Sequence, residues 1–163
     1  MLWLMLCIAR QINWPDTLSE LMRTPAAWPF GPDFDPSAMT VALNSRRNCG
    51  EKVYTGAYMI SAPATKGADK QAYIAQKVIG ALWRRRERFP ELNLSLRLVH
   101  QWIMQSNGWG AFMAYQAVVD MRFTPILQSA PDVASWAAAG PGTIRGLNRV
   151  HGRRVDFPCL LKN

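Results

Sequence analysis

Two carboxylates and a group of arginines are the residues of this sequence whose types and spacing could do chemistry. Asp120 ends an apolar run, "GAFMAYQAVVDMR" (residues 110–122), two positions before Arg122. If that run is a helix, a carboxylate at its C-terminus faces the negative end of the helix dipole and needs compensation. Two readings satisfy this: Arg122 supplies the compensation, or Asp120 is held at a cleft as a counter-charge or proton acceptor. Further on, Arg145 and Arg149 are four apart and share one helical face, with Asn148 beside them. They follow Gly140-Pro141-Gly142, and Arg153 and Arg154 come after them. Glycine N–H groups at a helix start, together with guanidinium forks, suit phosphate or pyrophosphate oxygens. A solvated basic helix has the same pattern.

A second glycine pair, Gly108-Trp109-Gly110, joins two helical patterns as a helix-hairpin-helix does. Glycine allows the tight turn and leaves the first amides of the second helix open to a phosphate. Any helical hairpin can use such a turn, so the pattern alone does not separate folding from DNA contact. Trp109 stands at the turn apex, where an exposed ring would serve as a base wedge. Trp83, Trp102 and Trp136 read as core. The run "ALWRRRERF" (residues 81–89) is too dense for all its arginines to share one face, so part is solvated and part is available to track phosphates.

The overall charge points the same way. Nineteen Lys+Arg stand against eleven Asp+Glu, a formal net charge of +8, which favours a polyanion as partner. Three scattered cysteines (Cys7, Cys49 and Cys159) and two histidines (His100 and His151) lack the spacing of a zinc site or a disulfide framework. That usage suits a reducing cytoplasm. The opening "MLWLMLCIA" has no basic leader and is too short to span a bilayer. It reads as a core helix starting at the first residue, so an upstream extension is expected.

The elements that must position these groups are mostly helical, and 163 residues suit one domain, 1–163, with a sizeable core. A first helix over about 2–12 should end at "NWP", because Pro15 forces Trp14 to be extended. Arg10 and Asn13 lie on one side of its last turn. "TLSEL" reads as a capping box with Thr17 as N-cap and Glu20 reaching back. A proline-rich loop (24–36) offers Trp28, Phe30 and Phe34 as anchors. Residues 37–47 form a short helix, and "KVYTGAYMIS" (52–61) a weak extended segment. Asp69 starts the longest helix, running to about residue 89. A helix pair surrounds the Gly-Trp-Gly turn, and a last helix follows "AAAGPG".

Four blocks, "CIARQINWPDTLSEL", "EKVYTGAYMI", "GWGAFMAYQAVVDMR" and "GPGTIRGLNRVHG", occur in this order over nearly all of the chain. Together they resemble the phage amino acid:DNA transferases, first described as α-glutamyl/putrescinyl thymine pyrophosphorylases. They also resemble the related helical domain attached to 5-hydroxymethyluracil DNA kinases. The resemblance implies a mainly α, helix-hairpin-helix, DNA-glycosylase-like fold acting in the host cytoplasm. It implies that an amine displaces pyrophosphate from 5-pyrophosphoryloxymethyl-uracil in double-stranded DNA, after the base leaves the stack. Arg10 and Asn13 match the first block's polar pair, and Glu51, Tyr54 and Tyr58 match the second block. Asp120 and Arg122 match the third, and Arg145, Asn148 and Arg149 the fourth.

On this reading Arg145 and Arg149 stabilise the leaving group, and Asp120 or Glu51 receives the ammonium and its proton. Arg10, Asn13, Tyr54, Tyr58, Arg122 and Asn148 bind substrate. Gly108, Trp109, Gly110, Gly140, Gly142 and Arg153 contact DNA, with Tyr54, Tyr58 or Trp109 as stacking surfaces. No cofactor is required, and magnesium would come with the pyrophosphate. Glycine is the first candidate amine and glutamate the second. Two other classes compete: a non-catalytic DNA-binding helical module, and a base-excision enzyme. The lack of a P-loop excludes a kinase within the chain.

Overall fold

The computed structural model describes residues 1–56, 69–92 and 94–152. Tyr58, Arg153, Arg154, Cys159 and the later part of the expected extended segment lie outside the described residues.

The first helix, α1 (Leu2–Ile12), runs through the core. Leu4, Cys7, Ile8 and Ile12, spaced by threes and fours, are fully buried. It stops where Asn13 takes a left-handed φ of 46° and its N–H closes on the Ala9 carbonyl. Trp14 is extended, as the following proline demands, and Pro15 opens α2 (Pro15–Arg23). The expected capping box is therefore not formed. Thr17 lies inside the helix and donates its hydroxyl to the Val53 carbonyl at 2.9 Å, while Glu20 pairs with Arg46. Of the three loop anchors, Trp28 and Phe34 are buried but Phe30 is two-thirds exposed.

Asp35 caps α3 (Pro36–Asn48) by accepting from the Ser37 amide. Asp69 likewise caps α4 (Lys70–Ala72), which widens into a π-helical segment (Tyr73–Ile79) before α5 (Gly80–Arg84). The expected long helix thus changes pitch and ends early, with a 3-10 helix at Arg86–Leu92. Next come α6 (Leu96–Met104), α7 (Ala111–Arg122) and α8 (Pro141–His151). Among the described residues there is no strand, so the architecture is mainly α.

Helix α7 packs on both α1 and α6, and α3 packs on the π-helical segment. Trp3 of α1 stacks on Phe89 with ring centroids 4.6 Å apart, and Trp102 of α6 meets both rings edge-on. This cluster ties three elements together through aromatic contact as well as burial.

The turn between α6 and α7 is where glycine is indispensable. Gly108 has φ of +78°, and a Cβ there would lie 2.4 Å from Cγ2 of Val78. Gly110 has an ordinary φ of −75° and open space around it. Gly108→Ala should therefore cost at least about 2 kcal/mol, from the left-handed backbone and the overlap together. Gly110→Ala should stay within about 0.5 kcal/mol of the parent. Urea unfolding of the two variants distinguishes a packed turn from one merely tolerant of glycine.

Candidate functional site

The C-terminal end of α7 meets α1 through one ion pair. Arg10 grips Asp120 with two parallel hydrogen bonds, from Nε to Oδ2 and from Nη2 to Oδ1. About a third of the Arg10 side chain and a quarter of Asp120 remain exposed. Arg122 is not the compensating charge: residues two apart on a helix point to different sides, and Arg122 is exposed. The fork occupies two of the roughly four lone-pair directions of the carboxylate, leaving others for a second donor. Cys7, one turn before Arg10, has its thiol pushed far up, by burial first and then by the charge of Asp120. It stays protonated and is no nucleophile.

Glu51 belongs to a different ion cluster. Arg46 of α3 holds Glu51 at 2.6 Å and Glu20 of α2 at 2.8 Å. The two candidate bases thus sit in separate ion pairs on separate elements. Tyr54 has a buried hydroxyl with no hydrogen-bond partner, and the Lys70 ammonium stands 4.5 Å from its ring centroid. Burial, then the charge of Asp69, pushes its phenol well up. Both amide atoms of Gln11 and the indole nitrogen of Trp14 are also buried and unpartnered. They lie in the same stretch of chain as Arg10 and Asn13, which caps α1. Unmade buried hydrogen bonds are costly, and the Trp102 indole nitrogen of α6 carries another.

The tryptophan expected at an exposed apex is inside. Trp109 is 3% exposed and its indole N–H donates to the Val78 carbonyl at 3.3 Å, so its ring offers no face to a base. The arginine-rich run is also partly consumed by the fold. Arg85 bonds Ser106, Gln105 and the Trp102 carbonyl, and Arg86 lies over the ring of Trp83.

A cavity of about 690 Å³ opens between α6, α7 and the start of α8. His100, Tyr115 and Trp136 form its aromatic side, with ring centroids 5.2–6.2 Å apart. Gly140, Pro141, Gly142 and Thr143 line it from the start of α8, and Gln116 lines it from α7. His100 Nε2 lies 2.9 Å from the Ala111 carbonyl, a contact that requires Nε2–H as donor. Trp136 is set in place by Asp132, whose carboxylate accepts from the Leu96 and Arg97 amides at the start of α6.

These parts connect through helical spacing. Gln116 of the cavity lining and Asp120 are one turn apart on the same face of α7. Arg145 and Arg149, four apart on α8, are both exposed. Asn148 is half-buried beside them. Sequence reading missed the cavity's aromatic side. The available signal was the spacing Phe112, Tyr115, Gln116, Asp120, a single stripe along α7 that mixes aromatic and polar groups.

The ion pair reverses one expectation about stability. Removing the charge of Asp120 relieves a dipole conflict but breaks the two-bond fork between half-buried groups. Asp120→Asn should lower stability by about 1–2 kcal/mol, since a charge-assisted fork is lost at a partly screened site. Arg122→Ala should shift it by less than about 0.5 kcal/mol. Thermal melts of both variants check this, and equal losses would restore Arg122 as the compensating charge.

Among the described residues, no helix is long and apolar enough to cross a membrane. No curated protein and no solved structure matches this chain. Residues 2–158 match the family described as "5-hmdU DNA kinase, helical domain", nearly the whole chain, and the protein belongs to that family.

Proposed function

We propose that this chain is an amino acid:DNA transferase of phage thymine hypermodification. In this reaction the nitrogen of an amine attacks the exocyclic methylene of 5-pyrophosphoryloxymethyl-uracil in DNA. The carbon–oxygen bond breaks, pyrophosphate leaves with the electron pair, and the new ammonium loses a proton. The observation that carries the proposal is the Arg10–Asp120 fork at the end of α7. A carboxylate held in a fork is fixed in orientation, with lone pairs left to receive an ammonium group.

In this reading Asp120 is preferred to Glu51 as counter-ion and proton acceptor, because the Arg10 fork orients both of its oxygens, whereas Arg46 divides its guanidinium between Glu51 and Glu20. Arg145 and Arg149 meet the departing pyrophosphate, whose charge grows in the transition state. The amides at the starts of α7 and α8 serve DNA phosphates. Among the described residues, no three of His, Cys, Asp and Glu gather as metal ligands; in this reading no cofactor is required, and any magnesium would come with the pyrophosphate. Membership in a family of kinase-attached helical domains supports a place in DNA-base modification.

A second reading has support of its own. Asp120 and Glu51 both sit in arginine pairs, as they would in a helical module that binds DNA for a partner enzyme without reacting.

Supplying duplex DNA bearing 5-pyrophosphoryloxymethyl-uracil with one amine at a time separates the readings. A transferase releases pyrophosphate only with the right amine, glycine being expected ahead of glutamate, and leaves the glycosidic bond intact. A base-excision enzyme frees the base, and a binding module does neither. Arg145→Ala and Arg149→Ala should each cut turnover by about 100-fold, the usual loss for a transition-state donor. Their effect on duplex affinity should be much smaller. Loss of affinity alone would move both arginines to backbone tracking.

A further inference from the structure

The cavity between α6, α7 and the α8 start lies outside every residue assignment made from the sequence, apart from its glycine rim. Its volume of about 690 Å³ falls within the range of about 300–1,000 Å³ typical of small-ligand sites. Its walls are sorted by chemistry. Tyr115 and Trp136 present aromatic surface, Phe112 and Met104 are apolar, and Gln101 and Gln116 bring amides that both donate and accept. Among the described lining residues the one formal charge is Arg97, and there is no carboxylate. An anionic or neutral ligand is therefore favoured over a cation.

The rim adds phosphate chemistry. The amides of Gly142 and Thr143 belong to the first turn of α8 and have no carbonyl partner within that helix. Pro141 before them has no N–H to lose, and Arg145 follows on the same face. An aromatic slot with amide-bearing walls and an anion-binding rim matches one kind of molecule: a nucleotide, with its base in the slot and its phosphate on the rim. Free nucleotides and extruded nucleotides share that chemistry. Exposed Arg145 and Arg149 continue the anion-binding rim away from the cavity, as a ligand that is part of a polymer requires.

We propose that this cavity holds a single pyrimidine nucleotide extruded from duplex DNA, stacked on Trp136 and met edge-on by Tyr115, whose ring stands at 75° to that of Trp136. The volume exceeds what a bare pyrimidine fills, so a 5-substituent has room on the Gln116 side, one turn from Asp120. This inference rests on the reading that the substrate is a modified thymine in DNA. It moves the stacking surface from Trp109, which is buried, to a residue the sequence assigned to the core.

The test uses the full chain and a duplex with one 5-hydroxymethyluracil next to 2-aminopurine, whose fluorescence rises when its neighbour leaves the stack. The parent protein should raise the signal. Ala138→Trp, which fills the cavity, and Trp136→Ala, which removes its wall, should each reduce extrusion about tenfold, the scale of one lost base–aromatic stack. Duplex affinity by anisotropy should change far less. If Trp136→Ala melts the loop, the filling variant carries the test, with circular dichroism confirming its fold.

An unchanged signal in folded Ala138→Trp, or no signal with the parent, overturns the proposal. So does saturable binding of thymidine 5′-monophosphate without any signal from the duplex, which would assign the cavity to free nucleotides. The pyrophosphate assay keeps the two proposals apart. Extrusion without pyrophosphate release removes the transferase and leaves the cavity. Release that survives in Ala138→Trp removes the cavity and leaves the transferase.

Discussion

The backbone at Gly108 approaches the Val78 side chain so closely that no Cβ fits between them, and the adjoining Trp109 indole bonds the Val78 carbonyl. This contact fixes the α6–α7 hairpin against the π-helical segment. Everything proposed for the site depends on that placement. It sets the line of α7 across α1, and so brings Asp120 to Arg10. It also holds the faces of α6 and α7 that, with the start of α8, enclose the cavity. A turn that could slide would blur both.

Arginine does several physically different jobs in this small chain. Arg10 orients one carboxylate, Arg46 gathers acidic groups from α2 and the following loop, and Arg85 ties α5 to the end of α6. Each uses the planar fork, for which lysine is a poor substitute. The net charge of +8 is therefore not one uniform surface. Arg145 and Arg149, on a helix with no buried residue, differ from these structural arginines because their forks point to solvent. Such groups serve a ligand that arrives rather than a neighbour already present.

The cavity is held in shape by groups remote from its interior. Asp132 binds two amides at the start of α6, satisfying donors that no carbonyl within the helix can reach. The same contact anchors the loop carrying Trp136. His100, bonded to the Ala111 carbonyl, joins α6 to the first turn of α7. The loop and the first turn of α7 are thus tied to α6 by hydrogen bonds, which set orientation more narrowly than apolar packing does.

Much of the helical layout was legible in the sequence because its causes are local. Apolar residues at threes and fours, Pro15 after an extended Trp14, and Asp69 ahead of a polar first turn all act within a few residues. The same holds for Gly140 before the last helix and for Arg145 and Arg149 sharing a face. Where local rules compete, tertiary contact decided. Thr17 had a capping pattern, but a carbonyl from Val53, far along the chain, took its hydroxyl. Trp109 stood at a turn, a position that says nothing about which way the turn faces, and Val78 drew it inward. Asp120 had an arginine two residues away and chose one 110 positions distant, because helical geometry turns the near one aside. The cavity was beyond sequence reading for the same reason: its walls come from three separate stretches of chain, and only packing makes them one surface.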